Sequence, residues 1–212
     1  SIWYMFTARS VEVIVSPVPD RIWMAERGPD RGLIEMSYGE AAAKIRAIGS
    51  ALVAHGLSAE RPLLILSGNS ISHALMALAA QHVGVPSAAL APAYSASGGD
   101  FLKLRDVVGQ MTPGMVFAEN ADTFASAIEA VIDRSVPVVS IQGEVAGRPM
   151  LGFDAVAATR PTADMEAAHA AVGPDTVAKF LFTSGTTGSP KAVIQTQRMI
   201  CSNPQMDAQC YL

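Results

Sequence analysis

The sequence predicts an α/β fold built on a largely parallel sheet with flanking helices. Three observations carry this expectation. From Leu63 to Ile141, short apolar runs alternate with segments of helical spacing, the pattern of parallel strands joined by crossover helices. Between Pro62 and Gly99 there is no Asp, Glu, Lys or Arg, as expected where a strand and a helix are both buried and lose their charged face. Half of the 212 residues are hydrophobic and 16% are charged, with a mean hydropathy of +0.30, so the chain can bury a sizeable core.

The elements follow in order. IWMAER (22–27) and LIEM (33–36) flank the turn-forming Gly28-Pro29-Asp30-Arg31-Gly32 and read as a hairpin. Ser37-Tyr38-Gly39-Glu40 has the spacing of a capping box, in which the hydroxyl accepts from the third backbone N–H and the carboxylate reaches back. Ile45, Ile48 and Leu52 continue that helix, and Gly56 stops it. Leu63–Leu66 reads as a strand, Ile71–Val83 as a helix capped by Gly84, and the residues after Pro86 as a short strand. A second set comprises a helix around Phe101–Gln110, a strand at Met115–Ala118, a helix at Thr123–Ile132 and a strand at Val136–Ile141. Residues 142–160 read as irregular, Asp164–Val172 as a short helix stopped by Gly173-Pro174, and Val177–Phe182 and Ala192–Ile194 as strands.

Charge and cysteine usage exclude several functions. The net charge is −4 and the isoelectric point about 5.5, against a nucleic-acid groove or an anionic-membrane anchor, both of which need clustered Lys and Arg. The uncharged stretch is no membrane span, because Ser67-Gly68-Asn69-Ser70, His73, Gln81, His82 and Pro86 interrupt the run of about 20 apolar residues that a bilayer requires. Cys201 and Cys210 are the two cysteines, too few for a disulfide framework, and a cytoplasmic setting is expected. SIWYMFTARSVEVIV lacks the basic start and long apolar run of a secretory signal.

The chemistry concentrates in VAKFLFTSGTTGSPKAVI (177–194). A buried strand leads into Thr183-Ser184-Gly185-Thr186-Thr187-Gly188-Ser189-Pro190-Lys191, and a second strand follows. Hydroxyls, freely turning glycines and a terminal lysine supply converging N–H and O–H donors and a positive charge for phosphate oxygens. Ser/Thr/Gly runs are commonly plain loops, but a specified S-G-T-T-G-x-P-K arises by chance at roughly one in 10⁹ positions at ordinary residue usage. The loop is not a Walker A motif, which needs Lys directly after the second glycine and then Ser or Thr; here Gly188 precedes Ser189-Pro190, and Lys191 precedes Ala192.

This segment resembles the phosphate loop of the adenylate-forming superfamily of acyl- and aryl-CoA synthetases, nonribosomal adenylation domains and luciferases, [ST]-[ST]-G-[ST]-T-G-x-P-K-G-[VI]. It matches from Thr183 to Val193 except at Ala192, where that family carries Gly. RPLLILSGNSISHALMALAAQHVGVPSAALAPAYS, DFLKLRDVVGQMTPGMVFAE and AAHAAVGPDTVAKFLFTSGTTGSPKAVIQTQRMICSN are each similar to bacterial feruloyl-CoA synthetases in order and spacing. Residues 1–19 are a divergent N-terminal edge, and 20–212 resemble the N-terminal portion of the adenylation domain, an incomplete form of that fold. The resemblance implies an acid–thiol ligase: a carboxylic acid, with a hydroxycinnamate or other aryl acid expected, reacts with ATP to give an acyl-adenylate and pyrophosphate, and coenzyme A then forms the thioester. Thr183, Ser184, Gly185, Thr186, Thr187, Gly188 and Lys191 would bind the phosphates. The family's adenine and ribose partners, Mg²⁺-binding glutamate and C-terminal lysine find no match here, so the metal ligand and catalytic residues are expected outside these 212 residues. The chain alone is expected to be inactive, and to self-associate through Met199, Ile200, Met206, Tyr211, Leu212 and an open strand edge at Ala192–Ile194. Two other readings stay open: a non-catalytic nucleotide- or pyrophosphate-binding module, and an unrelated α/β ligand-binding domain.

Weaker signals have plainer explanations. Ser67–Ser70 joins a strand to a helix N-terminus, where Asn and Ser act as caps. His73 and His82 are nine apart, and nine steps of about 100° put them on opposite faces, so they share no metal. Thr196 reads as a helix cap, Arg198 as surface, Glu166 with His169 as a solvated pair, and the ten methionines as core filler.

Overall fold

Leu63–Leu66 (β3) is apolar at every position and buried at every position. Alternation divides it between two cores: Leu63 and Ile65 join one cluster and Leu64 and Leu66 the other. A strand of this composition therefore needs cover on both faces. The computed structural model describes residues 18–28, 30–91, 101–184 and 190–202, and it places β3 inside a seven-stranded sheet.

The remaining strands are Ser87–Leu90 (β4), Met115–Phe117 (β5), Val138–Ser140 (β6), Met150–Gly152 (β7), Val177–Ser184 (β8) and Pro190–Thr196 (β9). Their order is β7-β6-β5-β3-β4-β8-β9. All neighbouring pairs are parallel except β8 and β9. The five strands β4-β3-β5-β6-β7 follow a flavodoxin-like order, whose ligands bind beyond the carboxyl ends of the strands. The expected α/β fold with a largely parallel sheet is what the chain adopts.

Among the described residues four helices cover one face: Tyr38–Ala54 (α1), Ile71–His82 (α2), Phe153–Ala157 (α5) and Ala163–Ala171 (α6), which pack Ile48, Leu52, Leu75, Met76, Phe153 and Met165 against β3, β5 and β6. Leu102–Met111 (α3) and Ala121–Val131 (α4) cover the other, with Leu104, Val107, Met111, Phe124 and Ile128 against β3, β4, β5 and β6. Gly49 sets the approach of α1 to the end of α2, since a Cβ there would lie 2.9 Å from Val83 Cγ1. Met76, Met111, Met115 and Met165 are core residues, whereas Met199 is exposed. Among the described residues no helix is long and apolar enough to cross a membrane; of the uncharged stretch, β3, α2 and most of β4 are buried, and residues 92–99 lie outside the described set.

Local signals set the ends of the elements. Ile22–Arg27 (β1) and Leu33–Ser37 (β2) form the expected antiparallel hairpin. The Ser37 N–H donates to Glu40 at 2.8 Å and the Glu40 N–H donates to Ser37 Oγ at 3.2 Å, completing the capping box of α1. Gly56 and Gly84 end α1 and α2 at φ values of +70° and +71°, where a side chain would be strained.

Two sequence expectations are corrected. Residues 142–160 are not irregular throughout, because β7 pairs in register with β6 and runs into α5. β7 has three residues, too few to display a period, and its neighbour in the sheet decides its conformation. Glu166 and His169 are not a solvated pair. His169 is buried, donates through Nδ1 to the His82 carbonyl at 2.9 Å and stacks on the His82 ring at 3.8 Å between centroids, while Glu166 pairs with Arg46 of α1. Spacing along α6 brings the two residues to neighbouring positions but leaves open which partner each one meets.

Candidate functional site

β8 begins beside β4, with Lys179 opposite Ser87, and runs parallel to it. Its last residues therefore reach the sheet edge where β3, β4, β5 and β6 also present their carboxyl ends. β9 returns antiparallel, pairing Phe182 with Ala192, Thr183 with Lys191 and Ser184 with Pro190. β9 is one of the sheet's two edge strands among the described residues, β7 being the other. The apolar character of Val177–Phe182 explains β8: Ala178 is buried, and Phe180 and Phe182 pack on the core beneath α3 and α4.

Of the predicted phosphate-binding residues, the structure describes Thr183 and Lys191 and the backbone of Ser184. Gly185, Thr186, Thr187 and Gly188 lie outside the described residues. Thr183 and Lys191, eight apart in sequence, face each other across the hairpin, and both are exposed. Among the described residues no carboxylate forms an ion pair with Lys191. A cation held at a strand terminus, with a hydroxyl directly opposite and no ion-paired carboxylate among the described residues, suits a polyanionic ligand.

The other predicted groups have internal partners. At the N-terminus of α2, Ser70 Oγ accepts from the His73 N–H at 3.2 Å, and the Ile71 N–H donates to Glu26 Oε2 at 2.8 Å. The protein's own carboxylate thus fills the anion position there. His73 Nδ1 lies 2.9 Å from both Ser67 Oγ and the Gly68 carbonyl. His73 and His82 meet different partners, His82 stacking on the ring of His169. Thr196 caps the helical residues 197–202 by accepting from the Met199 N–H at 3.4 Å. Gln197 is buried and donates through Nε2 to the Gln81 carbonyl at 3.2 Å. Arg198 is exposed and paired with Asp175 at 3.2 Å. Cys201 is buried, which pushes its thiol above the ordinary range; Cys210 lies outside the described residues.

Sequence reasoning missed one contact at the hairpin. Gln110 of α3 donates through Nε2 to the Pro190 carbonyl at 3.0 Å, and no local pattern links residues so far apart. An open trough of about 570 Å³ beside Lys44, Arg46 and Arg160 includes no residue of β8 or β9 and has no bearing on this chemistry.

The profile of the family described as AMP-binding enzyme matches residues 15–211. A long-chain-fatty-acid–CoA ligase of Mycobacterium tuberculosis, FadD15, is 30% identical over 166 residues, which are 77% of this chain and 26% of that protein. The chain thus spans about a quarter of the length of this curated relative. A fatty acyl-adenylate ligase from L. pneumophila, solved with acyl adenylate and pyrophosphate, superposes with a TM-score of 0.67 at 17% identity, over 93% of this chain and 31% of that one. A benzoate CoA ligase from Burkholderia xenovorans superposes with a TM-score of 0.69 at 19% identity, over 96% of this chain and 36% of that one. At these identities the two solved structures show a shared fold.

Proposed function

The chain belongs to the AMP-binding enzyme family, and on that premise we propose that residues 20–212 form the N-terminal portion of the adenylation domain of an ATP-dependent acid–CoA ligase, with Thr183–Lys191 as its phosphate loop and residues 1–19 as a divergent edge. The observation that carries this reading is the Thr183–Lys191 pair at the carboxyl edge of the sheet. In the proposed reaction a carboxylate oxygen attacks the α-phosphorus of ATP, the bond to the β-phosphate oxygen breaks, and pyrophosphate leaves. The coenzyme A sulfur then attacks the acyl carbonyl and releases AMP.

This chain's part is to hold the leaving group. The hydroxyls of Thr183, Ser184, Thr186 and Thr187 and the N–H groups freed by Gly185 and Gly188 donate to phosphate oxygens, and Lys191 offsets the charge that grows on pyrophosphate. Mg²⁺ supplies further charge neutralisation when bound, and no residue of this chain is assigned to it. The acid is proposed to be an aryl acid of the hydroxycinnamate type, on the three stretches similar to feruloyl-CoA synthetases. A long-chain fatty acid is the second reading, favoured by the 30% identical relative. The reaction is assigned to the cytoplasm, where ATP and coenzyme A are available. Self-association through this end of the chain is supported by the exposure of Leu181 on β8, of Val193 and Ile194 on β9 and of Met199 in the helical residues that follow; Met206, Tyr211 and Leu212 lie outside the described residues.

By itself the 212-residue chain is proposed to catalyse neither step, since it carries phosphate donors without adenine and ribose partners. Calorimetric titration should find millimolar binding of ATP and of pyrophosphate, worth about 4 kcal/mol, weakened at least about fivefold in Lys191→Ala. Equal binding by wild type and Lys191→Ala would remove the loop from the assignment. Carboxylate-dependent ATP–pyrophosphate exchange above background would overturn the inactivity.

A further inference from the structure

The start of β9 is held from outside the hairpin. Gln110 lies in the last turn of α3, and its Nε2 donates to two backbone carbonyls, that of Asp106 at 3.1 Å and that of Pro190 at 3.0 Å. These two bonds use both hydrogens of the side-chain amide. Pro190 is buried and has no N–H to donate, so its carbonyl is the polar handle by which a neighbour can fix this point of the chain. The next residue is Lys191, opposite Thr183. Val107 and Met111 anchor α3 in the core, so the amide is presented from a helix that cannot readily shift.

We infer that Gln110 is a positioning residue for the phosphate loop: by holding the Pro190 carbonyl it fixes the exit of the loop and keeps Lys191 in register with Thr183. The inference rests on reading Thr183–Lys191 as the phosphate loop. Gln110 touches no substrate in this assignment and acts through Lys191. A group that acts only through Lys191 leaves a thermodynamic signature, because its removal costs nothing further once the lysine is gone.

The test is a double-mutant cycle on the 212-residue chain, with inorganic pyrophosphate as the probe and affinity read by phosphorus NMR titration. Gln110→Met keeps the length and apolar body of the side chain and removes both donors. It should weaken pyrophosphate binding about threefold to tenfold with the melting temperature nearly unchanged, and should speed hydrogen exchange in the peptide covering residues 190–194. Gln110→Asn, an amide one methylene short of the Pro190 carbonyl, should behave alike and guards against a misfolded Met variant. Lys191→Ala combined with Gln110→Met should bind no more weakly than Lys191→Ala alone. If Lys191→Ala weakens binding while both Gln110 variants bind as wild type, the inference is overturned and the phosphate-loop reading stands. Fully additive losses also overturn it. Should Lys191→Ala leave binding unchanged, the loop reading falls and takes the inference with it.

Discussion

Arg148 offers the sharpest test of how the corrected segment is built. It precedes β7, and its guanidinium gathers the carbonyls at the end of α4 and the turn into β6. Nη1 donates to Asp133 at 3.0 Å and to Val136 at 3.4 Å, and Nη2 donates to Ile132 at 3.0 Å and to Ile128 at 3.3 Å. The two 3.0 Å bonds carry most of the effect, at about 1.5 kcal/mol each for a charged donor in a half-buried site. Two terms reduce the total. Nε is buried with no hydrogen-bond partner among the described residues, and burial also holds the guanidinium below its ordinary basicity. Arg148→Met, which retains the apolar stem, should therefore cost about 2 kcal/mol, or about 4–8 °C in melting temperature for a chain of this size. Arg148→Lys should fall between Met and wild type, since one ammonium cannot span four carbonyls. Urea unfolding followed by circular dichroism measures both. A loss under about 0.5 kcal/mol for Arg148→Met would refute the claim that this side chain organises the α4–β6 turn.

Three further outcomes follow. Gly143 has a φ of +75° and a Cβ built on it would lie 2.6 Å from Asp122 Cγ, so Gly143→Ala should lower stability by about 2 kcal/mol, and a neutral urea midpoint would contradict the geometry. His169→Leu removes the bond to the His82 carbonyl and the ring stack and should cost about 2 kcal/mol, with faster proteolysis between α6 and β8 as the check. Glu40 is held below its ordinary value of 4.5, first by the Ser37 N–H and then by the Ser37 hydroxyl, and Ser58 and Ser135 similarly lower Glu60 and Asp133; carboxylates of this kind give stability above their unfolded pKa that disappears as pH falls through the folded one. The urea midpoint should thus hold steady from pH 7 to 5 and decline below 4.5, with Ser37→Ala shrinking the decline, and a midpoint rising on acidification would show the sign to be wrong.

What could be read from the sequence was whatever a few neighbouring residues decide. The S-x-x-E spacing at 37–40 contains both halves of a reciprocal bond pair, so the start of α1 needs no information from elsewhere. LLIL at 63–66 is too short and too apolar for anything except a strand covered on both faces. The S-G-T-T-G-x-P-K string is specific because the order of its residues is specific, and the apolar runs on either side foretold a loop between two strands, whose antiparallel pairing the structure adds.

Contacts that close across the fold leave no such trace. Arg148 sits in GRPM, a string that reads as a loop, and acquires its role only when α4 and β6 bring four carbonyls to it. Gln110 ends a helix in a way many polar residues could, and meaning comes from Pro190 arriving eighty residues later. Glu166 and His169 were misread for the same reason: their spacing was correct, but Arg46 and His82 compete for them more effectively than they do for each other, since a buried ring that keeps its hydrogen bond loses less than one turned out to water. The motif residues were therefore legible one by one. What holds Lys191 opposite Thr183 is a property of the packing, and the Gln110 variants test the link between the two.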